Sequence, residues 1–230
     1  MMLDIFSSFD PGINHINNMS PLLFWMTVLT SITLFSLSMW TAPTTMTIIS
    51  SSVMKTMNDQ GNRTSGAHIK GFNSMIVSLF IIIININLIG LLPMVFSYSS
   101  HLLFTLSFGL PLWLALIMSA IMYNTHKWTA SLLPGGAPHW LNPFLVMIET
   151  ISISVRPITL SFRLAANMSA GHIVLTLIST YSANALFSSV TSLMILTSIQ
   201  LGYIMFEFGI CLIQSYIFCL LLSLYADDHP

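Results

Sequence analysis

Charge is nearly absent from this sequence. Six Lys and Arg and seven Asp and Glu make up 6% of 230 residues, for a formal net charge of −1. A soluble domain carries about 25% charged residues. So few charges cannot cover a soluble core of this size, which excludes a soluble globular fold. The sequence also has no basic patch and no acidic tail, which argues against nucleic acid as a partner.

Cysteine is equally scarce. Cys211 and Cys219 lie on one predicted helix. Their Cα atoms would be about 12 Å apart at helical rise, beyond disulfide reach. They read as free packing thiols. No Gly-rich phosphate loop ending in Gly-Lys occurs, so no nucleotide site is expected. No Cys/His cluster has zinc spacing, and no Ser-His-Asp grouping stands out. A bis-histidine haem would need distant partners, because six of the seven histidines fall near or outside predicted span ends. No cofactor is expected.

The opening stretch, Met-Met-Leu-Asp-Ile-Phe-Ser-Ser-Phe-Asp-Pro-Gly, lacks Lys and Arg and carries Asp4 and Asp10. It reads as neither a secretory signal nor an Arg-rich transit peptide. The chain is expected to insert through its own apolar segments, or to be made in the compartment where it works. Sixteen methionines against six Lys and Arg point toward an organellar genome.

What is abundant is apolar sequence. The chain is 55% hydrophobic and its mean hydropathy is +0.84. The expected fold is an all-α integral membrane protein with about five membrane-crossing helices, the last two long and strongly tilted, plus a short surface helix. The first span is expected at 21–40, after an outer segment at 1–20. A polar inner loop follows at 41–70, with the surface helix at 44–57. The second and third spans are expected at 71–96 and 102–123, joined by a turn at 97–101. A second inner loop occupies 124–143, broken by Pro134-Gly135-Gly136 and Pro138.

Residues 144–230 form the expected pair of long helices, at 144–178 and 183–225, with a connection at 179–182. They would run roughly 52 and 64 Å at 1.5 Å per residue. The hydrocarbon is only about 30 Å thick, so neither fits an upright single crossing. Isolated Gly202 and Gly209 do not suffice to split the last segment in two. The 41–70 loop holds Lys55, Arg63 and Lys70, and the 124–143 loop holds Lys127. Both therefore belong inside, which puts the N-terminus outside and the C-terminus inside.

Against this background Arg163 stands out. A guanidinium stays charged at any working pH, and a charge within a membrane helix is read as functional by default. Glu149, Arg156 and Arg163 recur every seven residues, a spacing that drifts only about 20° per step round a helix. Asn167 follows four residues later on the same side, whereas His172 lies nine past Arg163, on the opposite face. Pro157 removes one backbone bond beside Arg156 and is expected to kink the helix there. The last helix repeats the pattern with Gln200, Glu207 and Gln214, and Tyr203 nearby. Two facing polar stripes suit a proton path: Glu and His carry protons, Gln orients water, and Arg acts as a barrier. Asn85 and Asn87 read as packing glue, and the Asn-x-Ser/Thr tripeptides at Asn18, Asn62 and Asn167 as chance. The residues alone leave open a self-contained cation channel, a proton-pump antiporter subunit, or a structural or haem-binding electron-transfer subunit.

The run Arg163-Leu-Ala-Ala-Asn167-Met-Ser-Ala-Gly171-His172 resembles the signature of the subunit a family of F-type ATP synthases. Asn87-Leu-Ile-Gly-Leu-Leu-Pro93, Ile148-Glu149-Thr150-Ile151-Ser152 and Leu212-Ile213-Gln214-Ser215-Tyr216-Ile217-Phe218 support it. The opening Leu3-Asp-Ile-Phe-Ser-Ser-Phe-Asp-Pro11 looks like the mitochondrial, invertebrate-type members. The resemblance runs essentially end to end. It implies a proton-translocating stator subunit of the mitochondrial inner membrane, with its N-terminus in the intermembrane space and its C-terminus in the matrix. The implied partners are a rotor ring of proteolipid subunits and other membrane and peripheral-stalk subunits. Arg163 then matches the essential arginine beside the ring, with Asn167 and Gln214 near it. Glu149 matches an acid on the proton outflow side, and His172 and Glu207 a coupled pair on the uptake side. Arg156 falls where relatives vary among Arg, Lys and Gln, so it stays a secondary candidate with Gln200 and Tyr203.

Overall fold

The computed structural model describes residues 9, 26, 45–92, 95, 97–133 and 139–227. The expected first span and outer segment lie outside these, apart from Phe9 and Met26. Among the described residues there are helices and turns but no strand.

Helix α1, Thr45–Arg63, is the polar element expected on the membrane surface, extended beyond the expected end at 57. A 3₁₀ turn at Ser65–His68 leads to α2, Phe72–Gly90. This span stops short of the expected 96. Leu91 and Leu92 donate instead to Leu88 and Ile89 in tightened turns, and the following Pro93 disfavours helical backbone at the residue before it. A 3₁₀ turn at Tyr98–Ser100 precedes α3, Leu102–Tyr123. The expected inner loop contains a short helix α4, Thr125–Ser131, whose Asn124 cap accepts from the Lys127 amide at 3.2 Å.

Two long helices complete the chain: α5, Asn142–Ala185, and α6, Val190–Asp227. Helices α2, α3, α5 and α6 are each long and apolar enough to cross a membrane. At about 1.5 Å per residue, the 44 residues of α5 run about 66 Å and the 38 of α6 about 57 Å. The last segment is one helix, not two. The expected break at 179–182 is not there. The hydroxyls of Ser179 and Ser182 donate to the carbonyls of Thr176 and Ser179, three residues back, so both serines ride within the helix. The chain leaves helical geometry at 186–189 instead. Pro157 is buried within α5, and the helix runs on through it.

Helix α2 packs against α1 and α6, while α5 packs against both α3 and α6. Phe72, Ile76, Phe80, Leu164, Phe218 and Leu222 are buried in one shared apolar core. At about 25 cal/mol per Å² of apolar surface, such packing favours the fold without a directional bond. Helices α3 and α5 meet closely at Gly109, where a Cβ would lie 2.9 Å from the Ser161 hydroxyl. That hydroxyl donates to the Pro157 carbonyl at 2.7 Å.

The ends of the bundle are distinct. Asp227 accepts from the amide and hydroxyl of Ser65 at 2.6 and 2.7 Å. The last turn of α6 therefore lies beside the segment joining α1 and α2. The opposite end of α2, at Gly90, meets Met168 and the ring of His172 on α5.

Candidate functional site

The polar residues of α5 fall into three levels along the helix. Glu149 and Arg156 form the first. Their side chains approach at 3.7 Å, and the guanidinium of Arg156 sits 5.0 Å above the ring centroid of Tyr225 on α6. These three groups line a cavity of about 380 Å³, together with Trp113, Trp128 and Ser131. Ile153 also lines it; its carbonyl is the one that Pro157 leaves without a helical partner.

Arg163 forms the second level, two turns further on. It is exposed, and no hydrogen bond or ion pair joins it to another described residue. Its helix exposes Ile151, Val155, Ile158 and Phe162 as well. Arg163 itself shares its side of the helix with the exposed Thr159, Ala166 and Asn167, roughly a quarter-turn or more round from that apolar stripe. One turn on, Asn167 donates from Nδ2 to Oε1 of the buried Gln214 at 3.0 Å.

His172 and Glu207 form the third level. Gly171 lets α6 approach so closely that a Cβ there would overlap the Glu207 carboxylate. Glu207 is 3% exposed, and neither carboxylate oxygen has a hydrogen-bond partner among the described residues. His172 is half-buried, its Nε2 also without a partner among the described residues. Its ring meets the backbone of Gly90 and the edge of Phe9 at 6.4 Å between centroids. Among the described residues no hydrogen bond or ion pair joins the two groups; the close approach between the helices here is that of Gly171 to the Glu207 carboxylate. Unmet polar atoms in a buried setting cost about 1–3 kcal/mol each, a cost that a water or a proton relieves.

The levels occupy opposite ends of the bundle. Glu149 and His172 are 23 residues apart on one helix, about 35 Å at helical rise. Tyr225 and Trp128 accompany Glu149, and Gly90 accompanies His172. Arg163 lies between them.

The remaining residues are peripheral. Tyr203 is half-buried one turn before Glu207, its ring 6.3 Å from Phe206. Gln200, a further turn away, makes no side-chain hydrogen bond to another described residue. The sequence reading missed Tyr225. Yet it lies eleven residues past Gln214, only about 20° round the helix from it at 3.6 residues per turn. Cys211, read from the sequence as a free packing thiol, is buried, and its thiol meets the Met168 sulfur at 3.4 Å. Among the described residues no group of His, Cys, Asp and Glu could hold a metal ion.

Comparison with known proteins decides the family. The model of the ATP synthase A chain matches residues 21–227. The chain belongs to that family. It is 38% identical over 229 residues to ATP synthase subunit a of Artemia franciscana, covering 99% of this chain and 100% of that protein. It is 37% identical over 231 residues to the subunit of Albinaria caerulea, covering 100% of both. To that of Anopheles gambiae it is 37% identical over 230 residues, covering 99% of both. As an ATP synthase A chain with several membrane-spanning helices, it is a multi-pass subunit of the membrane sector of that complex.

Proposed function

We propose that this chain is the proton-translocating stator subunit of an F-type ATP synthase in the mitochondrial inner membrane. Residues 144–230 form two offset half-channels against a rotor ring of proteolipid subunits. Residues 21–123 supply three membrane helices, and 41–70 and 124–143 face the matrix. The N-terminus lies in the intermembrane space and the C-terminus in the matrix. The other partners are the membrane and peripheral-stalk subunits of the complex, with protons as the transported species. The chain makes no bond to ATP and needs no cofactor.

Protons arrive from the outer side near His172 and Glu207 and load a carboxylate on the ring. The ring turns, and the proton leaves toward the matrix near Glu149. Arg163 stands between the two routes. It attracts the deprotonated ring carboxylate and blocks a direct leak, because its own charge cannot be discharged. Asn167 and Gln214 hold the two helices together beside it. The membrane potential supplies about 2.3 kcal/mol per proton per 100 mV.

The observation that carries this reading is Arg163 itself: exposed on a membrane-spanning helix, without a partner among the described residues, between two separated polar clusters. A charge so placed has its counter-charge on another molecule. The test is proton pumping and ATP synthesis in membranes carrying Arg163→Ala, with assembly checked on a native gel. The expected result is loss of coupled transport in an assembled complex, accompanied by passive proton leak. Normal coupled transport would overturn the mechanism.

A further inference from the structure

The Arg156 guanidinium meets groups on two helices. Nη2 of Arg156 is 3.7 Å from Oε1 of Glu149, on the same helix. Its Cζ is 5.0 Å from the ring centroid of Tyr225, in the last turns of α6. A full-strength arginine–carboxylate pair is shorter, about 2.7–2.9 Å, and often bidentate. The pair with Glu149 is therefore loose. An aromatic face attracts a cation at about 6 Å or less, so the Tyr225 ring is a competing seat for the same group.

Both contacts lie in the wall of the 380 Å³ cavity, which is many times the share of about 30 Å³ that one water takes in the liquid. Among the described residues of that wall, Glu149 and Tyr225 can titrate and Arg156 stays charged. Helix α3 contributes Trp113 and α4 contributes Trp128 and Ser131, and none of these titrates in the working range.

We propose that Tyr225 is a positioning residue for Glu149, acting through Arg156. The ring holds the guanidinium back from the carboxylate. The Glu149 carboxylate is then not locked to Arg156 and stays open to water in the cavity, with which it exchanges protons. Without the ring, Arg156 closes on Glu149 as a bidentate pair and proton exchange slows. This inference rests on the reading of Glu149 as the acid of the outflow side.

The experiment measures ATP-driven proton pumping in membranes holding the assembled complex. Tyr225→Phe and Tyr225→Leu are compared, each alone and in an Arg156→Gln background, with Glu149→Gln as a separate variant. Tyr225→Leu is expected to slow pumping about 2- to 10-fold, the range a partly exposed cation–π contact supports. Tyr225→Phe keeps the face and should pump normally. In the Arg156→Gln background the Leu substitution should have no further effect, because the group it acts through is gone. If Tyr225→Leu does not assemble, Tyr225→Met serves in its place. Normal pumping by the Leu or Met variant, failure of Phe to rescue, or a Leu effect that persists with Arg156→Gln would each overturn the proposal. Normal pumping by Glu149→Gln would instead overturn the outflow reading beneath it.

Discussion

The side-chain amide of Asn167 donates to the side-chain oxygen of Gln214 at 3.0 Å, and so ties α5 to α6 one turn from Arg163. Gln214 is buried, whereas Asn167 lies on the exposed face. The bond therefore reaches from the outer surface into the helix contact. It fixes the register of the two helices at the level of the exposed charge.

Breaking this bond from either side should have unequal consequences. Asn167→Leu leaves a buried amide unmet on Gln214, at a cost of about 1–3 kcal/mol. Asn167→Leu with Gln214→Leu removes both partners and should cost less than the sum of the single changes. Thermal inactivation of ATP-driven pumping by the four combinations provides the check. Strict additivity would mean that the bond carries no coupling.

Gly171→Ala should impair transport without preventing assembly. The added Cβ overlaps the Glu207 carboxylate, the mobile end of its side chain, so the fold survives by moving that group. A displacement of about 1 Å at a reacting group can cost about 100-fold in rate, and pumping should fall by about 10- to 100-fold. Glu207→Asp shortens the side chain and should partly restore activity in the Gly171→Ala background. Pumping assays on the single and double variants, with assembly monitored on native gels, would decide. A Gly171→Ala complex pumping at the normal rate would disprove the close approach.

Much of this arrangement is legible in the sequence. The third helix, Leu102–Tyr123, coincides with the expected span, because an uncharged run there ends at an asparagine able to cap the next helix. The sevenfold spacing of Glu149 and Arg156 places them within reach on one face, and the structure pairs them at 3.7 Å. The connection between the long helices was misread, because serines that break helices in water satisfy themselves against backbone carbonyls here. The meeting of Gly171 with Glu207 was not legible, since inter-helix register comes from packing and leaves only a small residue as its trace. Tyr225 escaped because a search in steps of seven stops at Gln214 and its next step lands on Leu221, whereas a step of eleven lands on the ring.

The two thiols should be inert in the folded complex. Cys211 and Cys219 are each 1% exposed, and the Cys219 thiol points to the Ile76 carbonyl at 3.8 Å. Thiol reactivity needs an accessible thiolate. A membrane-permeant maleimide should label neither residue in native membranes and both after denaturation in detergent, as read by mass spectrometry of the chain. Rapid native labelling of Cys211 would show that the α5–α6 contact opens, and of Cys219 that the α2–α6 contact does.

The contact between Asp227 and Ser65 makes the last prediction. One carboxylate oxygen accepts from both the amide and the hydroxyl of Ser65, at 2.6 and 2.7 Å. It thereby anchors the end of α6 to the turn after α1. Close by, a Cβ at Gly66 would press on Ala226 at 2.8 Å, so the two segments are held by packing as well as by charge. Asp227 is exposed, and water competes for its bonds, so its loss should cost only about 1 kcal/mol. Asp227→Ala should therefore assemble and pump, yet release the 64–70 segment for proteolysis. Asp227→Asn keeps an acceptor and should lie between the two. Limited digestion of native membranes at matched protease concentrations would order the three proteins. Equal protection of all three would show that packing at Gly66 alone holds this end of the bundle closed.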